Sequence, residues 1–430
     1  YLVRSILLGL VLVLTSILGV VGVNVLTPKK EVEAAASGVW TDYASTSFAS
    51  GSGTSGSPYI IKTAEQLAYL IKYTDANNGA YGMHFKLDAD IDLSAHYWPG
   101  IGKKLANVTS FATSTYSEGT APFYNASGTG TGGAFSGTIY GNGHRIKGLN
   151  IGNTTSHGQG FFNSVYYAFI YDVIFLDPIV DITATSVQLG VVTGHAFWSW
   201  FYNVHTVSSW RNRSLGTNST SVQGTGYDSS YGRLRNTSST GIGAFAGFAS
   251  SVHFIGCTNS VPVVGNDYMG GFVGNLSHKY IGTSVTYRES NFDNCINDGS
   301  VMSTYTNTNR YVGGFVGCIK NVVTSQVIAR FSHCANTALV RITLPTSTTP
   351  STSTPSVGGF IGYGSNSYVI FSGCYSTPRT ALSITANGTT YSVAIGGAGK
   401  GYAFAGTWNN EATSNSSFNF YDPAYTILGS

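Results

Sequence analysis

Four copies of Phe-x-x-Cys (Phe254/Cys257, Phe292/Cys295, Phe331/Cys334 and Phe371/Cys374) constrain this chain more than any other feature. Their cysteines lie 38, 39 and 40 residues apart. Asn259, Asn297 and Asn336 follow two residues after the first three cysteines, with Ser376 in the fourth copy. Val263, Val301 and Val340 follow six after, where the fourth copy has Thr380. Between the copies stand Gly270-Gly271-Phe272-Val273-Gly274, Gly313-Gly314-Phe315-Val316-Gly317 and Gly358-Gly359-Phe360-Ile361-Gly362. A weaker version is Gly243-Ala244-Phe245-Ala246-Gly247. Units of this period bury their apolar faces only against neighbours, so they stack into one continuous core.

Short strand-like runs and turns fill each repeat with no helical pattern between them, which excludes βαβ units. The expected fold is all-β, a right-handed parallel β-helix, or solenoid. In such a stack equivalent residues lie about 4.8 Å apart on successive coils. Like side chains then form ladders: Phe on Phe, Cys on Cys and, at turns, Asn amide on Asn amide. The glycines are expected at strand ends, with positive φ and corners where a Cβ would clash. Phe and Cys three residues apart have opposite strand parity. If both point inward, a bend or bulge lies between them.

Upstream, Arg4 precedes an apolar run from Ile6 to Leu26, and Ala34-Ala35-Ala36 follows. This reads as an export signal with cleavage after Ala36, or as an uncleaved membrane anchor, since the run nearly spans a bilayer. Residues 37–57 read as a linker, flexible over the Ser- and Gly-rich Ala44–Ser57. Residues 58–134 read as an N-terminal cap region and 135–430 as the β-helix proper. Thr63 and Gln66 form a T-x-x-Q capping box before Leu67, Leu70 and Ile71, predicting a short helix that caps the open end of the solenoid. Phe85–Leu93 alternates strictly and reads as one strand. Residues 102–134, 211–240 and Pro345–Ser356 read as loops.

Composition bounds the function. Charged residues are 10 % of the chain and the formal net charge is +3, far from the dense Lys/Arg that nucleic-acid binding uses. Hydrophobic residues at 42 % and aromatics at 13 % supply a core and argue against disorder. The Gly-Gly-Phe-Val-Gly repeats, with Gly137-Thr138-Ile139-Tyr140-Gly141-Asn142-Gly143-His144-Arg145-Ile146-Lys147-Gly148-Leu149 before them, resemble the GLUG-motif surface proteins of bacteria. Tyr59-Ile60-Ile61, Thr63–Leu67 and Leu87–Leu93 look like the start of such proteins. The resemblance covers about residues 39–407. It implies a β-helix on a secreted or wall-attached protein, in some relatives fused to a peptidase or adhesive module.

Two sets of residues are candidates for chemistry. Asp88, Asp90 and Asp92, on one face of the Phe85–Leu93 strand, are spaced to recruit Ca²⁺ through carboxylate oxygens, to act as a carboxylate pair on sugars, or to stand as a solvated face. Within Phe197-Trp198-Ser199-Trp200-Phe201-Tyr202, one strand would put Trp198, Trp200 and Tyr202 together as a platform for sugar rings, with Phe197 and Phe201 opposite; the alternative is core packing. The aligned cysteines read as a buried thiol ladder, in which parallel side-chain vectors strain any bridge. No Cys-x-x-Cys spacing for zinc occurs, and no Ser/His/Asp grouping for a nucleophilic mechanism.

The leading functional expectation is a secreted or cell-surface structural or adhesive protein presenting loops and a flat lateral face to a glycan or host protein. It touches membrane only through the N-terminal segment. Alternatives are a polysaccharide-active β-helix enzyme and a surface filament subunit led by the hydrophobic N-terminus, although type IV pilins carry Glu where this chain has Ser5.

Overall fold

The computed structural model describes residues 37–102, 133–152, 158–182, 188–209, 232–236, 241–277, 289–303, 311–320, 327–343, 356–365, 368–376, 383–386, 389–392, 400–402, 405–409, 415–417 and 420–421. The expected leader lies outside these residues, as do nearly all of the three expected loops. Among the described residues the strands form five sheets, of ten, nine, eight, seven and six strands. One coil runs through all five: His253–Ile255 in the ten-stranded sheet, Thr258–Asn259 in the nine-stranded, Val263–Gly265 in the eight-stranded, Met269–Gly270 in the six-stranded and Val273–Ser277 in the seven-stranded. Among the described strands every pairing is parallel except the hairpin Ser383–Ala386 with Thr389–Ser392; isolated antiparallel bridges join Ser50 to Ile60 and Thr54 to Ser57. This is the parallel β-helix expected from the repeat.

Register explains why the repeat reads as it does. Phe201, Phe254, Phe292, Phe331 and Phe371 are direct partners on successive coils. Their rings stack at 5.0, 5.1, 4.5 and 5.1 Å between centroids. Phe245, Phe272, Phe315 and Phe360 of the glycine signatures form a second column at 4.5, 4.7 and 4.8 Å. The two columns interdigitate edge to face at 5.2 to 6.2 Å. Removing one such ring costs about 3–5 kcal/mol, because the coils above and below cannot close on the gap.

The inner column of the nine-stranded sheet is apolar at Ile91, Ile146 and Phe175, then turns polar at Thr206. From there a buried chain of hydrogen bonds takes over. Thr206 Oγ1 donates to Asn259 Oδ1 at 2.8 Å, Asn259 Nδ2 to Asn297 Oδ1 at 2.8 Å, and Asn297 Nδ2 to Asn336 Oδ1 at 3.0 Å. The expected asparagine ladder is therefore present. Each amide also bonds backbone in its own turn, as Asn259 does with Val261, so no rung depends on its neighbour alone.

The parity problem between Phe and Cys is solved by a corner. Gly256, Asn294, His333 and Gly373 stand between them with φ of +65°, +52°, +53° and +61°, continuing a column that begins with Asp172 and Asn203. Asn, Asp and Gly tolerate this left-handed geometry best. The glycines of the Gly-Gly-Phe-Val-Gly signatures differ from expectation, since none has positive φ. They answer to close approach instead. A Cβ on Gly274 would collide with the Ile242 amide nitrogen of the coil before, and one on Gly317 with that of Met269. The six-stranded sheet thus folds back against the seven-stranded one at backbone contact.

At the N-terminal end, Thr63 Oγ1 accepts from the Gln66 amide at 3.3 Å and Gln66 Oε1 from the Lys62 amide at 2.8 Å, opening the helix Ala64–Ala76. Its Leu67, Leu70 and Ile71 are buried, and Leu67 borders a small space with Leu87, Ile139 and Phe175 of the first coils. The stretch expected to be a flexible linker is instead packed. Ala49 N donates to Ile60 O and Ile60 N to Ser50 O, both at 2.9 Å, covering the edge of the first strand. Phe48 rests among Tyr59, Tyr69, Tyr73 and Phe85. Gly51 and Gly53 take φ of +96° and +78°; they are there for turn geometry. The strand expected over Phe85–Leu93 is two strands, His84–Leu87 and Ile91–Asp92, in different sheets. Alternation carries on through the corner and conceals it.

The fold-back gives a direct expectation. Gly274→Ala or Gly317→Ala should lower unfolding free energy in a urea titration by about 1–3 kcal/mol or more. Gly56→Ala, with nothing within 4 Å of the added carbon, should change it little.

Candidate functional site

The ten-stranded sheet has an inner column of buried apolar residues and two outer columns, because side chains alternate along each strand. Thr138-Ile139-Tyr140, Phe169-Ile170-Tyr171, Trp200-Phe201-Tyr202 and His253-Phe254-Ile255 stack in register. The middle residue of each points in; the flanking ones point out. Tyr140, Tyr171 and Tyr202 make one outer column, with centroids 5.5 and 4.9 Å apart and ring planes within 15°. Phe169, Trp200 and His253 make the other, at 4.7 and 5.2 Å and within 5°. All six are partly exposed.

Rings so nearly parallel spend their faces on one another and turn their edges to solvent; the Tyr140 hydroxyl lies 3.2 Å from His84 Nδ1. Burial raises the Tyr171 pKa, with Tyr202 and Tyr140 adding to it, so this phenol stays protonated and can donate. No charged residue stands within the strip. Lys86 precedes Tyr140 and Asp293 follows Ile255 in one column. In the other, Arg330 follows Asn291 and meets Glu289 at 2.6 Å.

The structure keeps two of the three expected platform residues and removes one. Trp200 and Tyr202 are in the strip. Trp198 is at the preceding corner, φ +44°, 8 % exposed and packed with Ala134, Tyr166, Phe197 and Phe248. Phe197 and Phe201 accordingly do not share a face. Tyr140, Phe169, Tyr171 and His253 were not among the expected residues, although Tyr140, Tyr171 and Tyr202 recur at intervals of 31 residues. That interval marks a coil without an excursion.

The three aspartates are not a one-faced acidic strip. Asp88 and Asp90 occupy the corner and Asp92 the next strand. Each has its own partner: Asp88 meets Lys62 at 3.2 Å, Asp90 meets the His144 ring at 3.2 Å, and Asp92 meets Lys147 at 3.3 Å. The Arg145 amide, above all, and His144 hold Asp90 below the usual carboxylate range. Burial acts to raise Asp92, but hydrogen bonds from Ser94 and the charge of Lys147 outweigh it and hold it low. Exposed pairs of this kind contribute about 0–1 kcal/mol each. Among the described residues no three His, Cys, Asp or Glu side chains converge as a metal site would require.

His205 lies on the outer side of the nine-stranded sheet, with Nδ1 2.8 Å from Thr258 Oγ1. Burial lowers its pKa, and Asp172 opposes this in part. The folded chain therefore favours the neutral ring. Stability from this site is complete above the unfolded value of about 6.5 and declines as pH falls through it toward the lower folded value. Thermal midpoints measured from pH 7.5 to 5 should fall below about pH 6.5, with a shallower fall in His205→Gln.

No family model matches the chain. A protein of Evansella cellulosilytica provisionally named a Gly-rich membrane protein is 27 % identical over 151 residues, 35 % of this chain. The match spans 14 % of that protein's own length. A crystal structure of a protein from Bacteroides ovatus, provisionally named an immunoglobulin A1 protease, superposes with a TM-score of 0.46 at 17 % identity, over 85 % of this chain and 87 % of that one.

Proposed function

We propose that this chain is a binding protein of the cell surface or secreted space, and that it holds a neutral glycan against the outer strip of the ten-stranded sheet. The observation that carries the reading is a flat strip four coils long, aromatic along two columns and free of charge. An uncharged polyhydroxylated chain suits such a surface. Its C–H faces pack on ring edges while its hydroxyls accept from the Tyr171 and Tyr202 phenols. A charged partner would forfeit hydration there without an ion in return. The export-type N-terminal sequence, the resemblance to GLUG-motif surface proteins and the naming of the Evansella relative as a membrane protein support the location. A polysaccharide-cleaving enzyme would gather acids from adjacent coils into one cleft. Here Asp88, Asp90 and Asp92 each face a separate basic side chain, Lys62, His144 and Lys147.

A glycan array probed with the full chain tests this directly. Neutral glycans should be retained, and Trp200→Ala should weaken retention about tenfold or more, a loss of about 1.4 kcal/mol. Ile296→Ser, on the exposed nine-stranded face, should leave it unchanged. Wild-type retention by Trp200→Ala, or retention of charged glycans alone, would refute the reading.

A further inference from the structure

Cys257, Cys295, Cys334 and Cys374 take no part in the strip, and all four are buried and in no disulfide. Their neighbours on both sides pair one rung apart: Phe254, Phe292, Phe331 and Phe371 before them, and Thr258, Ile296, Ala335 and Tyr375 after. Adjacent cysteines are therefore one coil apart, about 4.8 Å, inside the span of about 4.4–6.8 Å between Cα atoms that a disulfide takes.

Each cysteine directly follows the left-handed corner residue, and its Sγ leans along the coil axis toward the coil before, so the four side chains remain parallel and a bridge needs one thiol of each pair to turn toward its neighbour. Cys257, Cys295, Cys334 and Cys374 donate to the carbonyls of Phe201, Phe254, Phe292 and Phe331 in the coil before, at 3.3, 3.4, 3.2 and 3.2 Å. The thiols also hydrogen-bond one another, Cys295 with Cys257 and Cys334, and Cys334 with Cys374. Burial pushes the Cys295 thiol up. The hydrogen bond to Cys334, then burial, raises Cys374. Burial also opposes ionisation of Cys334, but hydrogen bonds from Cys295 and Cys374 outweigh it and hold that thiol low.

We propose that this column is an oxidation site in which neighbouring coils are stapled by disulfides, Cys257 to Cys295 and Cys334 to Cys374. Only this pairing uses all four thiols; a Cys295–Cys334 bridge strands both outer ones. The oxidant is a small external disulfide, RSSR. One thiolate of a pair, Cys334 or Cys374 in the second, attacks one of its sulfurs and expels RS⁻, giving a mixed disulfide. The thiolate of its neighbour then attacks that cysteine's sulfur and expels the second RS⁻. The two protons lost by the cysteines end on the two leaving groups. Each staple converts two thiols and one RSSR into one protein disulfide and two RSH. Since the thiols are buried, exchange runs through local opening of a coil, and the bridge then opposes further unzipping. Cys318 is an internal control: its register partners are Asn275 and Tyr363, neither a thiol.

The test incubates the folded, reduced full chain with excess glutathione disulfide at pH 8 in sub-denaturing urea. Alkylation in guanidinium and non-reducing peptide mapping follow. The expected product is a monomer four hydrogens lighter, with Cys257–Cys295 and Cys334–Cys374 peptides linked and Cys318 alkylated. In Cys334→Ala, the Cys257–Cys295 link should persist with Cys374 alkylated. Five alkylated cysteines in the wild type, a bridge that skips a coil, or one that includes Cys318 would overturn the proposal. Glycan retention is read separately, so the two readings fail independently.

Discussion

One constraint governs this molecule: every coil hydrogen-bonds to the one before it in single-residue register. Parallel pairing at about 4.8 Å leaves each side chain facing its own counterpart above and below. A position therefore cannot be chosen for one coil alone. Flat rings, small thiols and self-complementary amides tolerate such repetition, which is why Phe, Cys and Asn recur at fixed places. A charge repeated at the same interval in the interior would repel itself with no water to screen it. The inner columns accordingly hold none among the described residues.

The same constraint shapes the surface. Inner phenylalanines of the ten-stranded sheet fix where their flanking residues emerge, so successive coils set aromatic residues in two straight outer columns. The left-handed corners turn each strand out of that sheet at the same height. The aromatic strip and the core are thus two faces of one register. A change of coil length that kept the register would leave both intact, whereas a slip of one residue would exchange them.

The sequence carried the architecture openly where like residues repeat. Phe-x-x-Cys, the following Asn and the T-x-x-Q helix start each led to the element observed, because each is tied to a physical need of that position. Legibility failed at corners. Phe85–Leu93 and Phe197–Tyr202 keep the alternation of a strand, so nothing in the pattern marks that Asp88–Asp90 and Trp198–Ser199 turn between sheets. This error merged three aspartates into one face and put Trp198 among the platform residues. Ser and Gly between Ala44 and Ser57 suggested flexibility, while Phe48 and the positive φ of Gly51 and Gly53 secure a packed edge cover. The aromatic strip went unseen because its interval of 31 residues between tyrosines differs from the cysteine interval, and the long excursion after Ser209 breaks it.

Removing one whole coil tests the central claim most directly. Deletion of residues 292–330 joins Asn291 to Phe331 and sets Phe331 and Cys334 directly on Phe254 and Cys257. Register stacking predicts a shorter solenoid that unfolds cooperatively and shields its remaining thiols from a thiol reagent until it does, while deletion of residues 292–311, about half a coil, destroys both properties. Loss of cooperative unfolding and of thiol protection in the whole-coil deletion, to the same degree as in the half-coil one, would contradict the account.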